Sequence, residues 1–205
     1  MTLLLLAALV LQQPRAAIDG VVMVDVSHSA AVGVIKRDKT LLTDVGTAVA
    51  SALEAGDSVR LGTFGDAITL EPVPLHDVAG VSAAALTLAE HMGGASPIWD
   101  ALAASATAVG PGPARRGIVL VTDGRSTGNR LGFAEVLERL QAARIPVFVV
   151  SFDKGDRPIP DPGARLLTLA AKTGGDCLFV ERKVMPGAIT RAMKALRALP
   201  TSTAR

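Results

Sequence analysis

Length, composition and charge place the chain among single-domain globular proteins and argue against several functional classes. The chain has 205 residues, of which 49% are hydrophobic and only 3% aromatic, so a sizeable core must consist mainly of Val, Leu, Ile and Ala. The net charge is only +2 and no basic cluster is interleaved with aromatic residues, which argues against nucleic acid as a partner. The single cysteine, Cys177, excludes an internal disulfide bond and fits either an oxidising or a reducing compartment.

The chain begins with an uninterrupted apolar run over residues 1–11. This run is too short to span a bilayer, which takes roughly 20 residues, but it fits the apolar region of a secretory signal. Ala16 and Ala17 supply small residues for cleavage, although no Lys or Arg precedes the run. We predict a signal peptide at residues 1–17 and a secreted or periplasmic mature chain without a membrane span. A buried N-terminal element, a misplaced start codon and a cytoplasmic location are the alternatives.

The rest of the chain alternates between strand and helix patterns. Strands are predicted at residues 21–25, 58–64, 67–70, 118–122, 145–152 and 176–180. Helices are predicted at residues 36–53, 78–90, 98–109, 131–143, 165–172 and 185–199, with a loop at 154–163. Three basic residues of the last helix are expected to form a solvated face: Arg191, Lys194 and Arg197. This alternation predicts an α/β fold: a doubly wound, mostly parallel sheet with one antiparallel edge strand and helices on both faces.

The third predicted helix carries two signals of a helix start. Ser96 precedes Pro97, and these residue types are favoured at the N-cap and at the first helical position respectively. We therefore expect Ser96 to cap the helix, in a position from which its hydroxyl can also ligate a cation. Trp99, the single tryptophan, is expected to pack rather than to bind.

Polar oxygen atoms follow the first predicted strand at its carboxyl end. A run of Val and Met residues ends at Asp25, and Ser27 and Ser29 follow at alternate positions. Ligands bind at this end of the strands in parallel α/β sheets, and an oxygen-only donor set suits a hard divalent cation such as Mg²⁺. The alternative is an Asx or Ser turn that ends the strand.

Two further stretches resemble this one in their chemistry. The strand at residues 118–122 also ends in an acid, Asp123, and the pair Gly93 and Gly94 leads to the hydroxyl of Ser96. With these segments the chain resembles the von Willebrand factor A domain family, whose three loops form a metal-ion-dependent adhesion site. The resemblance covers roughly residues 20–198 and rests on DVSHS at 25–29, GASPIWDAL at 94–102 and TDG at 122–124.

The resemblance implies a metal site and a protein partner. By position, the shell that holds Mg²⁺ or Mn²⁺ would be Asp25, Ser27, Ser29, Ser96 and Asp123. An Asp or Glu of a partner protein would fill the open coordination position, so the implied function is an adhesion or assembly module. The implied domain spans residues 18–200, and residues 201–205 form a tail. The chain departs from the usual family pattern with Ser96 in place of Thr, and with His28 and Ala30 in place of Gly and Met.

Two other functional classes are weighed against this interpretation. A metal-dependent hydrolase could also hold Mg²⁺ on acids at strand ends. Such an enzyme needs a nucleophile beside a base or a phosphate-binding loop, whereas the histidines are limited to His28, His76 and His91 and no Gly-rich Lys-Ser/Thr loop exists. We therefore expect no catalysis. The second alternative is a scaffold of the same fold that binds no metal. His28 is expected to be an exposed loop residue, with a partner contact or a pH-sensitive position beside the metal as alternatives.

Overall fold

The chain forms a central sheet flanked by helices, as seen in a computed structural model that describes residues 17–31, 38, 40–89, 92–110, 112, 114–153 and 162–200. Within these residues the strands are β1 Ile18–Asp25, β2 Ser58–Phe64, β3 Ile68–Leu70, β4 Arg115–Thr122, β5 Val147–Asp153 and β6 Cys177–Glu181. The helices are α1 Leu41–Ala52, α2 Val78–Leu88, α3 Ile98–Ala108, α4 Phe133–Ala142, α5 Pro162–Thr173 and α6 Met185–Ala198. A 3₁₀ turn at Arg182–Val184 leads into α6.

The sheet has the strand order β3-β2-β1-β4-β5-β6. All neighbouring strands run parallel except β3, which pairs antiparallel with β2 at one edge. The chain moves outward from β1 to β2 and later returns to place β4 on the other side of β1. The strand order therefore reverses between β1 and β4, and a crevice for ligands is expected at the carboxyl ends of these two strands.

Helices cover both faces of the sheet because the central strands are apolar on both faces. Val22 and Val24 of β1 join a core that also contains residues of α1, α2 and α6. Val21 and Met23 point to the opposite core, which contains residues of α3, α4 and α5. The predicted doubly wound, mostly parallel α/β architecture is confirmed, including its single antiparallel edge strand.

Several predicted boundaries differ from the observed ones. The strands β1 and β4 begin three residues earlier than predicted, since both pair along Ile18 and Arg115 at their amino ends. Helix α5 begins at Pro162, inside the predicted loop, because proline is well tolerated in the first turn of a helix. The predicted helix starting at residue 36, the end of the helix predicted to residue 90, and the loop at 154–161 extend into residues outside the described ranges. The same holds for residues 1–16 of the predicted signal peptide and for the tail at 201–205.

Two expectations about single side chains have opposite outcomes. Trp99 is buried and packs edge-to-face against Phe133 with 5.3 Å between ring centroids, as expected. The predicted solvated face of α6 is wrong for Arg197, which is 8% exposed and forms an ion pair with Asp57. Helical periodicity alone did not reveal this pair, because Asp57 lies in the loop before β2, 140 residues earlier. No helix within the described residues is long and apolar enough to cross a bilayer.

Candidate metal centre

The centre of the candidate site is Asp25, the last residue of β1, whose side chain is fully buried. Its Oδ1 accepts a hydrogen bond from the backbone N–H of Ser27 at 3.0 Å. Its Oδ2 accepts hydrogen bonds from the hydroxyls of Ser96, at 2.8 Å, and Thr122, at 2.7 Å. The carboxylate therefore joins the loop after β1, the loop before α3 and the end of β4.

The loop after β1 presents two hydroxyls beside Asp25. Ser27 is buried and Ser29 is half-buried, and their Oγ atoms lie 3.3 Å apart. His28 between them is exposed, as expected. Its backbone N–H donates to Gly94 O at 3.1 Å, and its Nδ1 accepts a hydrogen bond from Gly94 N at 3.3 Å. His28 therefore connects the loop after β1 to the loop before α3.

The loop before α3 places Ser96 against Asp25. Pro97, not Ser96, occupies the N-cap position, and it makes no capping hydrogen bond through its side chain. The expected capping role of Ser96 is therefore wrong, because its hydroxyl is turned into the site and donates to Asp25 instead. The backbone of Ser96 exchanges two hydrogen bonds with Thr127, at 3.0 Å to its Oγ1 and at 2.8 Å from its N–H.

The loop after β4 carries the second acid of the site. Asp123 is half-buried, and its Oδ1 accepts a hydrogen bond from the backbone N–H of Arg125 at 3.0 Å. Thr122, directly before it, accepts a hydrogen bond from Gly124 N at 3.0 Å while its hydroxyl donates to Asp25. The end of β4 is thereby held against the end of β1.

Burial and charge repulsion shape the protonation of Asp25. Burial and, to a smaller extent, the negative charge of Asp123 raise its pKa from 3.8 to about 6. Hydrogen bonds from Ser27 and Thr122 act against this shift by stabilising the carboxylate. Two acids thus share a poorly solvated position in which a cation would relieve their repulsion.

The five predicted residues lie together at the carboxyl ends of β1 and β4, but different contacts link them to one another. Asp25 is hydrogen-bonded directly to Ser27 and Ser96, whereas Ser29 joins them through Ser27. Asp123 acts on Asp25 through its charge. The alternative of strand-ending turns is also present in the geometry, because each acid accepts the N–H of the residue two positions later.

Sequence analysis missed two residues that hold this arrangement together. Thr122 appeared only as part of the TDG segment, although its hydroxyl contacts Asp25 directly. The contact follows from the pairing of Val24 with Val121, since the next residues along parallel strands are then neighbours, but no local pattern specifies this register. Thr127, which fixes Ser96, likewise had no local signal because it lies in an irregular loop 31 residues away.

The donor chemistry of the site fits a hard divalent cation. Every candidate ligand offers oxygen, and the described residues contain no group of three or more His, Cys, Asp and Glu side chains that could hold a metal. A cation here would depend on hydroxyls and water as well as on two carboxylates, which is the pattern that Mg²⁺ favours. Buried side-chain polar atoms of the described residues all have hydrogen-bond partners.

Comparison with known proteins places the chain in a family. The sequence profile of the von Willebrand factor type A domain matches residues 19–183, and the chain belongs to this family. Membership in the family indicates a protein-interaction module. No curated protein is similar enough in sequence to this chain to count as a relative.

Several solved structures with the same fold come from bacterial proteins. The protein BatB from Bacteroides thetaiotaomicron is 16% identical with a TM-score of 0.63, over 88% of this chain and 98% of that one. An aerotolerance-related membrane protein from Bacteroides fragilis is 16% identical with a TM-score of 0.65, over 87% and 99%. The corresponding domain of the type V pili tip protein Mfa5 from Porphyromonas gingivalis is 12% identical with a TM-score of 0.68, over 90% and 96%. At these identities the likeness concerns the fold alone.

Proposed function

We propose that this chain is a metal-dependent protein-interaction module. In this proposal Mg²⁺ or Mn²⁺ binds to Asp25, Ser27, Ser29, Ser96 and Asp123, with water completing the shell. An Asp or Glu of a partner protein replaces one of the waters and becomes a ligand of the ion. The shell itself supplies only two negative charges, so the ion keeps the capacity to attract a further carboxylate.

One observation carries the proposal: three loops from separate parts of the chain bring oxygen donors together around the buried Asp25. Asp25 is destabilised as an anion by its burial and by Asp123, and a cation between the two acids offsets both effects. The site lies at the reversal point of the strand order, where ligands bind in sheets of this kind.

Thermal unfolding in EDTA, Mg²⁺ and Mn²⁺ tests whether the site binds a metal ion. A ligand present at one hundred times its dissociation constant adds about 2.7 kcal/mol to the free energy of unfolding. For a chain of this size we expect a rise in Tm of roughly 5–10 °C in the wild type. The rise should disappear in Asp25→Asn and Asp123→Asn.

The matched control is Asp176→Asn, which removes an exposed carboxylate at the amino end of β6, whereas the candidate site lies at the carboxyl ends of the strands. This variant should retain the full metal response. If millimolar Mg²⁺ and Mn²⁺ leave the Tm of the wild type unchanged, the metal-dependent function is rejected. The hydrogen-bond network around Asp25 would then belong to a scaffold that binds no metal.

We further propose that the site binds and does not catalyse. The Nδ1 of His28 already accepts a hydrogen bond from Gly94, so it is a poor candidate for a base. Burial and the nearby Asp176 raise the pKa of Cys177 to about 12, which keeps the thiol protonated and weakly nucleophilic. Metal-dependent hydrolysis of aryl phosphate or aryl acetate esters, lost in Asp25→Asn, would contradict this proposal.

We also propose that the domain acts outside the cytoplasm. The support is the apolar run at residues 1–11, together with the fold shared with a membrane protein and a pilus tip protein. A fusion of residues 1–17 to an alkaline phosphatase that is active only after export tests this localisation. An inactive, unprocessed fusion would contradict it.

A further inference from the structure

A groove opens beside the candidate metal centre, between the loop after β4 and the beginning of α5. Its volume is about 340 Å³, and we call it the side groove. The residues that matter for its chemistry are Trp99, Thr127, Asn129, Leu131, Phe133 and Arg165. The groove lies on the face of the sheet that carries α3, α4 and α5.

The side groove is linked to the candidate metal centre through Thr127. Thr127 lines the groove and exchanges two hydrogen bonds with the backbone of Ser96, whose hydroxyl donates to Asp25. One residue therefore separates the buried carboxylate from the wall of the groove. This wall is therefore a near neighbour of any partner segment bound at the metal.

The wall of the side groove is held in place without a ligand. Asn129 Oδ1 accepts the backbone N–H of Trp99 at 2.7 Å, and its Nδ2 donates to Ser126 Oγ at 2.9 Å. Asp100 accepts the backbone N–H groups of Arg130, at 2.9 Å, and Leu131, at 2.8 Å. A surface fixed in this way loses little conformational entropy when a partner binds.

One part of the side-groove lining is apolar, and another part carries a positive charge. Trp99 and Phe133 meet edge-to-face there, and Leu131 extends this apolar part. Arg165 is exposed at the rim and makes no hydrogen bond or ion pair with any residue that the structure describes. No Asp or Glu is among the described residues that line the groove.

We infer that the side groove selects the partner segment whose carboxylate binds the metal. An apolar side chain next to that carboxylate packs on Leu131 and Phe133, and a second Asp or Glu of the same segment pairs with Arg165. This inference rests on the proposed function, since it places the groove beside an ion that holds the first carboxylate. Charge complementarity with Arg165 favours an acidic segment over a neutral one, and the contact of Thr127 with Ser96 places the groove next to the metal site.

Selection from a displayed library of random short peptides tests the inference. The purified wild type is screened in Mg²⁺ and in EDTA, and the same screen is repeated with Arg165→Glu. We expect Mg²⁺-dependent peptides with two acidic residues and an apolar residue close to them. With Arg165→Glu, Lys or Arg should replace the second acid while the first acid is retained.

The affinity of an enriched peptide then measures the contribution of Arg165. Arg165→Glu should weaken binding of the two-acid peptide about fivefold, the upper range for an exposed ion pair, and the matching Lys peptide should recover the loss. Trp99 is the single tryptophan of the chain and lines the groove, so its fluorescence emission should shift on binding. The control Arg191→Glu, an exposed site on α6 across the sheet, should behave like the wild type.

The outcomes separate this inference from the proposed function. If peptides are enriched only in Mg²⁺ but require a single acid, or keep the same second acid with Arg165→Glu, the inference is wrong and the metal-dependent function stands. If no peptide depends on Mg²⁺, both are overturned. Unchanged Trp99 emission on binding of a two-acid peptide would also place the peptide outside the side groove.

Discussion

The side chain of Asp25 is under opposing influences that govern how the candidate site behaves. Its burial and the charge of Asp123 disfavour the anion, whereas hydrogen bonds from Ser27 and Thr122 favour it. The balance leaves the pKa at about 6, well above the ordinary value of 3.8. An ionised Asp25 therefore lowers the stability of the metal-free protein at neutral pH.

The pH dependence of stability follows from this pKa. The unfolded chain loses the proton of Asp25 near pH 3.8, while the folded chain keeps it up to about pH 6. Between these values the folded state binds more protons, so the contribution of Asp25 to stability is present at low pH and is lost as the pH rises through about 6. We expect this loss to be on the order of 3 kcal/mol in EDTA.

The variant Asp25→Asn isolates this contribution from those of other acids. In EDTA at neutral pH it should be at least as stable as the wild type, and the two should converge as the pH falls below 4. Urea unfolding at a series of pH values measures the difference. Parallel pH profiles for the two proteins would show that Asp25 titrates normally in the folded state.

At the scale of elements, the site depends on how three loops are held against one another. The loop before α3 is attached to the loop after β1 through His28 and to the turn after β2 through Asp66, whose N–H donates to Gly93 O at 2.9 Å. Gly94 has a φ of 84°, a region that favours glycine. A side chain at Gly94 would also overlap Asp66.

The substitution Gly94→Ala should therefore damage both stability and metal binding. The positive φ and the overlap with Asp66 predict a loss of about 2 kcal/mol or more in the free energy of unfolding. Movement of the loop would shift Ser96 from Asp25 and reduce the rise in Tm caused by Mg²⁺. Thermal unfolding with and without Mg²⁺ measures both effects.

The control for this prediction is Gly110→Ala, since an added Cβ there would meet no atom of a non-adjacent described residue within 4 Å. This variant should change stability by less than about 0.5 kcal/mol, as is usual for surface substitutions, and should leave the metal response intact. An equal loss in the two variants would mean that the conformation of Gly94 does not hold the site.

At the scale of the whole molecule, a buried ion pair stabilises the end of the sheet opposite the candidate site, where β1 begins. Arg197 of α6 pairs with Asp57 before β2, and it also donates to Ala52 O at 2.9 Å. Asp57 Oδ1 accepts the backbone N–H of Ile18 at 2.9 Å, and Glu54 Oε1 lies 3.2 Å from Arg197 Nη1. The pair thereby connects the ends of α1 and α6 to the beginning of β1.

Removal of one partner should be costly because the other charge stays buried. Arg197→Met leaves the carboxylate of Asp57 without its cation, and we expect a loss of about 3–5 kcal/mol in the free energy of unfolding. The double variant Arg197→Met/Asp57→Asn should recover part of this loss. Urea unfolding measures the free energies of all three proteins.

The exposed Arg191 provides the control on the same helix. Arg191→Met should change the free energy of unfolding by less than about 0.5 kcal/mol. A loss as large as that of Arg197→Met would assign the effect to α6 in general, and no recovery in the double variant would show that the charge of Asp57 is not the cause.

Local patterns in the chain were sufficient for the fold and for the position of two acids at the carboxyl ends of its central strands. The apolar runs that end at Asp25 and Asp123 predict buried parallel strands with acids at one edge, because strand ends meet there regardless of the details of packing. The periodicity of the helices likewise depends only on residues a few positions apart. These features are encoded within short segments, and the sheet order confirms the architecture that they predict.

Tertiary structure alone decided the contacts between distant segments. Thr122 and Ser96 meet on one carboxylate oxygen of Asp25, from positions 97 and 71 residues away, and Arg197 meets Asp57 across 140 residues. Such contacts depend on the register of strands and on how loops pack, which no local pattern specifies. The sequence by itself therefore determined the class of fold and the edge that carries the acids, whereas packing determined the raised pKa of Asp25, the side groove and the buried ion pair.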